Sequence, residues 1–244
     1  AFLWLCAGLP VMGQTYTPTS ENLKAREEFQ DNKFGIFLHW GIYSMTAQGE
    51  WYMHNRNINW EEYAKLASGF YPSKFNAAEW VSAIKASGAK YITITSRHHD
   101  GFSMFHTKQS DYNIVDATPF KRDIIKELAE ECKKQGIKLH FYYSHLDWRR
   151  DDYPVNNSGR GTGRPRGKEN WNSYYQFMNN QLTELLTNYG KIWEVWWDGS
   201  QSKNITYDWK RYTDTIHTLQ PDAVIFGSLG AEPYVEARWV GNES

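Results

Sequence analysis

The sequence has few cysteines and almost no net charge. Its two cysteines are Cys6 and Cys132, and Cys6 lies in an N-terminal segment that we expect to be removed. Cys132 would then be the remaining cysteine, which excludes an intrachain disulfide. The formal net charge is -1, so we expect no general electrostatic attraction to nucleic acid or to an anionic membrane.

The N-terminal apolar run is too short to cross a bilayer. It covers residues 1–12, AFLWLCAGLPVM, and gives way to a polar segment rich in Thr and Ser. This pattern is typical of the apolar region of a secretory signal peptide, here without its basic start or initiator Met. We therefore predict a partial signal peptide at residues 1–13, no membrane span, and export to the periplasm or the extracellular space.

Two common site motifs are missing. The first predicted strand is followed by HWGIYS and not by the G-x-G-x-x-G loop that binds dinucleotides. Neither H-x-H nor H-E-x-x-H occurs. These absences argue against a nucleotide-binding doubly wound fold and against the commonest zinc hydrolases.

Hydrophobic periodicity predicts strands and helices in alternation. The predicted strands cover residues 33–40, 91–96, 138–144, 192–199 and 223–227, and the predicted helices cover 21–29, 60–69, 77–87, 123–135, 171–189 and 207–219. This order indicates parallel strands joined by crossover helices, as in a doubly wound sheet or a (β/α)8 barrel. The missing phosphate loop favours an α/β fold of the TIM-like barrel type. About five strands by residue 227 predict a barrel that is incomplete at its C-terminal side.

Aromatic residues are abundant, with 12 Trp and 16 Tyr. Indole rings stack on the apolar faces of sugars, which favours a protein that handles carbohydrate. A core rich in Trp explains the same composition equally well.

Polar and aromatic residues gather at or just after the carboxyl ends of the predicted strands, where both α/β folds place their sites. They are His39, Trp40, Glu50, Trp51, His98, His99, Tyr142, Trp196 and Asp198. One interpretation is a metal site formed by the three histidines and Asp198. However, adjacent histidines on an extended backbone point to opposite sides, which disfavours one shared metal.

The other interpretation is glycoside hydrolysis by two carboxylates. Asp198 ends the strand IWEVWWDG and shares a face with Trp196, so it suits the nucleophile, although Asp also caps turns after strands. A retaining enzyme needs a second carboxyl about 5–5.5 Å away. Spacing leaves Glu50, Glu232, Glu236 and Glu243 open as that partner.

Three further residues have more modest predicted roles. We expect Asp100 to hold the turn after His99. His140 lies inside its strand, and a role as a hydrogen-bonded core residue is as consistent with the sequence as a role in the site. Glu194 is two positions before Trp196 and would face inward in a deeper layer.

Five motifs together resemble the α-L-fucosidases of glycoside hydrolase family 29. They are FGIFLHWGIYS, GEWY, SRHHDGFSMF, FYYSHLDW and VWWDG, and the matches run from about residue 27 to residue 243 in the order of the family. The resemblance implies a (β/α)8-like catalytic domain, retaining hydrolysis of terminal α-L-fucose from oligosaccharides or glycoconjugates, and no metal or other cofactor.

The resemblance also implies residue roles. Asp198 matches the nucleophile, and RWVGNE, which ends in Glu243, matches the acid/base segment of one branch of the family. The implied fucose contacts are His39, His98, His99, Tyr142 and Trp196, with Trp40, Glu50 and Trp51 beside them. Residues 14–244 are then the N-terminal portion of the catalytic barrel, without the C-terminal β-sandwich usual in the family. The alternative is a non-catalytic, fucose-binding barrel fragment.

Overall fold

The computed structural model describes residues 17–153, 163, 167–199, 207–227, 231 and 234–240. The predicted signal peptide and Glu243 lie outside these residues. The strands are β1 (Gly35–Leu38), β2 (Tyr91–Arg97), β3 (Lys138–Ser144), β4 (Glu194–Asp198), β5 (Val224–Gly227) and β6 (Ala237–Arg238). The helices are α1 (Ser20–Asn32), α2 (Tyr52–Asn55), α3 (Trp60–Ala64), α4 (Ala77–Ala86), α5 (Ile124–Gln135), α6 (Trp171–Asn188) and α7 (Trp209–Leu219), with 3-10 turns at Ile42–Thr46 and Lys65–Gly69.

The six strands form one parallel sheet in the order β1 to β6. The sheet is strongly curled. Phe37 on β1 and Trp196 on β4 lie with ring centroids 4.4 Å apart, whereas strands three places apart in a flat sheet are separated by about 14 Å. The described strands therefore enclose part of a barrel interior, which confirms the predicted fold class.

Alternation along the strands divides the core in two. Outward residues such as Ile94, Phe141 and Trp197 are buried against the helices, and burying each such side chain contributes about 1.5–3 kcal/mol. Inward residues fill the barrel and, at the carboxyl ends of the strands, line its mouth. The site is therefore held by strands that are packed on both faces.

Helix α5 shows how local sequence sets an element. The Asp123 side chain accepts a hydrogen bond from the Lys126 amide, and Gly136 ends the helix in the left-handed conformation. Leu128 and Cys132, four residues apart, are buried on its inner face. Cys132 is a free thiol, and burial raises its pKa to about 12.

The structure differs from the prediction in one expected helix and in one additional strand. The single helix expected over residues 60–69 is an α-helix to Ala64 and a 3-10 turn from Lys65, where the Ser68 hydroxyl donates to the Lys65 carbonyl oxygen. Strand β6 was not predicted, because two residues carry too little periodicity to detect.

Helix α1 closes the amino-terminal end of the barrel. Arg26 pairs with Glu236 at 2.6 Å, and the Asn22 amide donates to the Ala223 carbonyl oxygen at 3.3 Å. Phe29 reaches inward, with its ring centroid 6.2 Å from those of Tyr91 and His140.

This closure removes Glu236 from the candidate partners of Asp198. Its carboxylate accepts from the Ile225 amide near the start of β5 and lies 3.0 Å from His217 Nε2. These contacts lie at the opposite end of the strands from Asp198, so the interpretation of Glu236 as an acid/base is wrong.

The interior layer above α1 contains His140 and Glu194. Glu194 lies in this deeper layer, as predicted, whereas His140 Nδ1 makes no hydrogen bond among the described residues. His140 Nδ1 lies 3.2 Å from Glu194 Oε2, and the His140 ring stacks on Tyr91 at 4.3 Å. Both residues are buried below the mouth.

Among the described helices, none combines the length and apolarity that a membrane crossing requires.

Candidate active site

Asp198 lies at the carboxyl end of β4 with both carboxylate oxygens engaged. Tyr142, on the neighbouring strand β3, donates its hydroxyl proton to Oδ2 at 2.5 Å, and the Gly199 amide donates to Oδ1 at 2.6 Å. Gly199 has φ +81°, and a Cβ there would lie 2.6 Å from the Leu146 side chain. The carboxylate is thus fixed in orientation while remaining half-exposed at the mouth.

Three imidazoles surround this carboxylate. His99 Nε2 lies 3.6 Å from Asp198 Oδ2, the His98 and His99 ring centroids are 4.1 Å apart, and His39 stands 5.5 Å from His98. Burial lowers the pKa of His98 well below its usual range and that of His99 to about 4. Asp198 is therefore surrounded by neutral hydrogen-bonding groups.

The closeness of His98 and His99 corrects the expectation that they point to opposite sides. Strand β2 ends at Arg97, and the chain turns at once, with the Gly101 amide donating to the His98 carbonyl oxygen at 3.0 Å. The alternation rule does not apply within this turn.

Among the residues that the structure describes, no group of three His, Cys, Asp or Glu side chains is arranged to hold a metal ion.

Asp100 holds this turn, as predicted. Its carboxyl group accepts from the Tyr63 hydroxyl at 2.9 Å and from the Phe102 amide at 3.0 Å. Burial raises its pKa to about 6. Asp100 thereby joins helix α3 to the segment that carries His98 and His99.

Aromatic rings form two walls of the mouth. Trp196 packs edge-on against Tyr142, at 5.9 Å, and lies 6.2 Å from Trp239. In a second group of rings, Trp51 lies 5.2 Å from His99 and 5.1 Å from the fully buried Trp148. These flat apolar surfaces beside hydrogen-bonding groups suit a sugar ring.

The structure brings together most, but not all, of the predicted site residues. His39, His98, His99, Tyr142, Trp196, Trp51 and Asp198 form one cluster through the contacts given above. Glu50 is half-buried. Burial lowers the pKa of His39 and of His99, and the nearby charge of Glu50 offsets part of that lowering. Glu232 and Glu243 lie outside the described residues, so their distances to Asp198 are not part of this geometry.

The structure corrects the predicted role of Trp40 in the site. Its indole packs against Phe75 at 5.4 Å and Trp80 at 4.8 Å, on the helical side of β1. His39 faces the mouth, and its neighbour is turned toward the outer layer, as alternation requires. Trp40 therefore belongs to the core outside the barrel and not to the cluster.

Several residues of the site were not found from the sequence. Ser144 contacts His99 with its hydroxyl, 2.6 Å from Nδ1, and Trp148 supports both Trp51 and His99. Arg97 and Asp147 form a fully buried ion pair beneath them. The alternation of residues 140, 142 and 144 on β3 was the one available signal for Ser144.

Comparisons with known proteins agree with this geometry. The family model described as Alpha-L-fucosidase matches residues 7–241. Alpha-L-fucosidase 1 of Arabidopsis thaliana is 33% identical over 233 residues, which are 93% of this chain and 39% of the relative. The chain thus spans about two fifths of that relative's length.

Solved structures give the same result. Alpha-L-fucosidase isoenzyme 1 from Paenibacillus thiaminolyticus superposes with a TM-score of 0.79 at 32% identity, covering 86% of this chain and 56% of that one. Alpha-L-fucosidase AlfC from Lactobacillus casei, in complex with its α-L-fucose product, superposes with a TM-score of 0.74 at 33% identity, covering 85% and 74%. The chain belongs to the α-L-fucosidase family, a family of glycoside hydrolases.

Proposed function

We propose that the protein containing this chain is a retaining exo-α-L-fucosidase. Its substrates would be oligosaccharides or glycoconjugates with a terminal α-L-fucose. One observation carries the proposal: a carboxylate fixed by Tyr142 and Gly199 among neutral imidazoles and indoles at the mouth of a parallel barrel. AlfC binds α-L-fucose as its product, which supports the same sugar here.

The proposed reaction has two displacements. In the first, an Asp198 oxygen bonds to the anomeric carbon of fucose, and the leaving-group oxygen departs with a proton from the acid/base carboxyl. In the second, that carboxylate takes a proton from water, and the water oxygen displaces Asp198 to release fucose with retained configuration. We assign the acid/base role to Glu243 on the strength of the RWVGNE motif.

The surrounding residues have distinct proposed tasks. Neutral His39, His98 and His99 exchange hydrogen bonds with sugar hydroxyls, since each imidazole offers one donor and one acceptor. The ring of Trp196 packs on the apolar side of the sugar, and Trp51 and Glu50 border it. The Tyr142 hydroxyl holds the Asp198 carboxylate ready for attack.

Removal of the Asp198 carboxylate tests this function. In the full-length protein, Asp198→Gly should lower hydrolysis of 4-nitrophenyl α-L-fucopyranoside by about three orders of magnitude, because no covalent intermediate can form. Added azide should restore turnover and yield fucosyl azide of inverted configuration.

The control is Asp222→Asn, which changes a partly exposed carboxylate paired with Lys191. This variant should keep wild-type turnover.

An Asp198→Asn variant with unchanged turnover would refute the assignment of Asp198 as the nucleophile. Wild-type protein that binds fucose but releases no nitrophenol would instead support the non-catalytic alternative.

We also propose that the protein is exported, with residues 14–244 as the start of its mature chain. The support is the apolar run at residues 1–12. N-terminal sequencing of protein recovered from the secreting host would give a start near residue 14. A mature chain that retains the apolar run would contradict the proposal.

A further inference from the structure

The Ser144 hydroxyl links His99 to the backbone of the next loop. Ser144 is the last residue of β3, lies opposite Asp198 in the strand register and is fully buried. Its Oγ lies 2.6 Å from His99 Nδ1 and 2.9 Å from the Leu146 carbonyl oxygen. A carbonyl oxygen can only accept, so a hydrogen bond at this contact requires the Ser144 hydroxyl proton.

The count of protons then selects a tautomer for His99. If the one Ser144 proton goes to Leu146, the contact with His99 requires a proton on Nδ1, and both hydrogen bonds form. If Ser144 instead donates its proton to His99 Nδ1, no proton lies between Ser144 Oγ and the Leu146 carbonyl oxygen, and that hydrogen bond is lost. Nε2–H would then face Asp198 Oδ2 at 3.6 Å, which is too long for a good hydrogen bond. The first arrangement satisfies more groups in a buried place.

We propose that Ser144 is a positioning residue that holds His99 as the neutral, Nδ1-protonated tautomer. Nε2 then presents a lone pair to the mouth and accepts a hydrogen bond from a substrate hydroxyl. The partner of one ring nitrogen sets the chemistry of the other. The substrate part of this inference rests on the proposed function, whereas the tautomer itself does not.

The tautomer also affects the nucleophile. An Nε2–H would face Oδ2, the oxygen that already accepts from Tyr142, at 3.6 Å. Without forming a good hydrogen bond, it would still stabilise the carboxylate electrostatically before attack. With the lone pair on Nε2, His99 withholds that donor. Ser144 therefore keeps His99 available to the sugar and Asp198 available to the anomeric carbon.

The fold holds Ser144 firmly enough for this task. Its carbonyl oxygen accepts from Arg97 Nη1 at 3.2 Å, and Arg97 is paired with Asp147 in a site without solvent exposure. The backbone of β3 is thus fixed from the side of β2 while the hydroxyl is oriented by Leu146.

The direct test is ¹⁵N NMR of the full-length protein labelled at histidine. The His99 signals are assigned by their loss in His99→Gln. At neutral pH, we expect the wild type to show a protonated, pyrrole-like Nδ1 and an unprotonated, pyridine-like Nε2. In Ser144→Ala the proton should shift toward Nε2. A wild-type His99 protonated at Nε2, or a Ser144→Ala variant with an unchanged tautomer, would overturn the inference.

The matched control is Ser96→Ala. Ser96 is also fully buried at the end of a strand, and its hydroxyl donates to the Tyr142 carbonyl oxygen at 2.7 Å, without contacting His99. Its removal should leave the His99 signals in place. A purely structural role for Ser144 predicts the same spectrum for both variants, which would also overturn the inference.

Kinetics supply the second readout. Ser144→Ala should lower kcat/KM for the aryl fucoside by about tenfold, the size expected for one lost hydrogen bond. Ser144→Thr, which keeps the hydroxyl, should recover most of the loss, and Ser96→Ala should stay within about twofold of wild type. If the wild type releases no nitrophenol, the proposed function fails, yet the NMR result still decides the tautomer.

Discussion

At the residue scale, the site depends on contacts between neighbouring strands. The sequence predicted that Asp198 ends a strand and shares a face with Trp196, because both conclusions follow from local periodicity. It did not predict that Tyr142 donates to Asp198, because that contact requires the register Tyr142 to Trp196 between β3 and β4. Register depends on packing across the whole sheet, which a single strand does not encode.

Removal of the Tyr142 hydroxyl tests this contact. Tyr142→Phe should lower kcat by about tenfold or more, because Asp198 loses its side-chain donor on Oδ2 and with it a fixed orientation. Steady-state kinetics with an aryl fucoside give the value.

Tyr143→Phe is the matched control, since Tyr143 points to the outer face and donates to Gln181 at 2.8 Å. It should cost about 1 kcal/mol in the free energy of unfolding and leave kcat unchanged. Equal losses of kcat in both variants would contradict the account of Tyr142.

At the element scale, helix caps and hydrophobic periodicity predicted the limits of the helices well, whereas the turns after the strands were predicted poorly. The limits of α5 followed from Asp123 and Gly136, and α4 and α6 ended within a residue or so of expectation. Two predictions for residues at strand ends were wrong. His98 and His99 do not point to opposite sides, because a turn replaces the expected extended backbone. Trp40 does not line the site, because its indole packs in the core outside the barrel.

Helix α1 provides an element-scale prediction. Glu236→Gln should destabilise the protein by about 3 kcal/mol, because it removes a buried carboxylate that pairs with Arg26 and faces His217. It should leave kcat unchanged, since Glu236 lies at the closed end of the barrel. Urea unfolding and aryl fucoside kinetics measure both.

Glu28→Gln is the control for this variant. Glu28 is a partly exposed carboxylate on the same helix, paired with Lys138, and its removal should cost at most about 1 kcal/mol. A large loss of kcat in Glu236→Gln, with little loss of stability, would return Glu236 to the list of acid/base candidates.

At the scale of the whole molecule, the alternation of strands and helices and the missing phosphate loop sufficed to predict the barrel. The same reasoning could not place Glu243 relative to Asp198, because residues far apart in sequence meet only through the closed fold. The burial of several histidines in their neutral form is a second property of the whole molecule, and it makes the free energy of unfolding depend on pH.

Acid should destabilise the native state. Burial lowers the pKa of His98 well below its usual range, that of His99 to about 4 and that of His145 to about 3. In the unfolded chain these groups bind protons below a pH of about 6.5, so the free energy of unfolding falls as the pH drops. The raised pKa of Asp100, about 6, acts in the opposite direction and offsets about one of these protons between pH 4 and 6.

His145→Gln isolates one such proton. Between pH 4.5 and 5.5, the slope of the unfolding free energy should fall by about 1.4 kcal/mol per pH unit relative to wild type. Urea unfolding across this range gives the slopes. His106→Gln, a change at an exposed histidine, should leave the slope as it is. An unchanged slope in His145→Gln would show that His145 is not buried in its neutral form.

The measurement that bears most directly on the central claim is the site of the covalent intermediate. The full-length protein is treated with a 2-deoxy-2-fluoro-fucosyl fluoride, digested with trypsin and analysed by tandem mass spectrometry. Asp198 falls in the peptide of residues 192–203, Glu50 in that of residues 34–56, and Glu243 follows Arg238. We predict one 2-deoxy-2-fluoro-fucosyl group on residues 192–203, localised by fragmentation to Asp198 and absent from Glu194. A label on any other peptide, or inactivation without a label, would contradict Asp198 as the nucleophile.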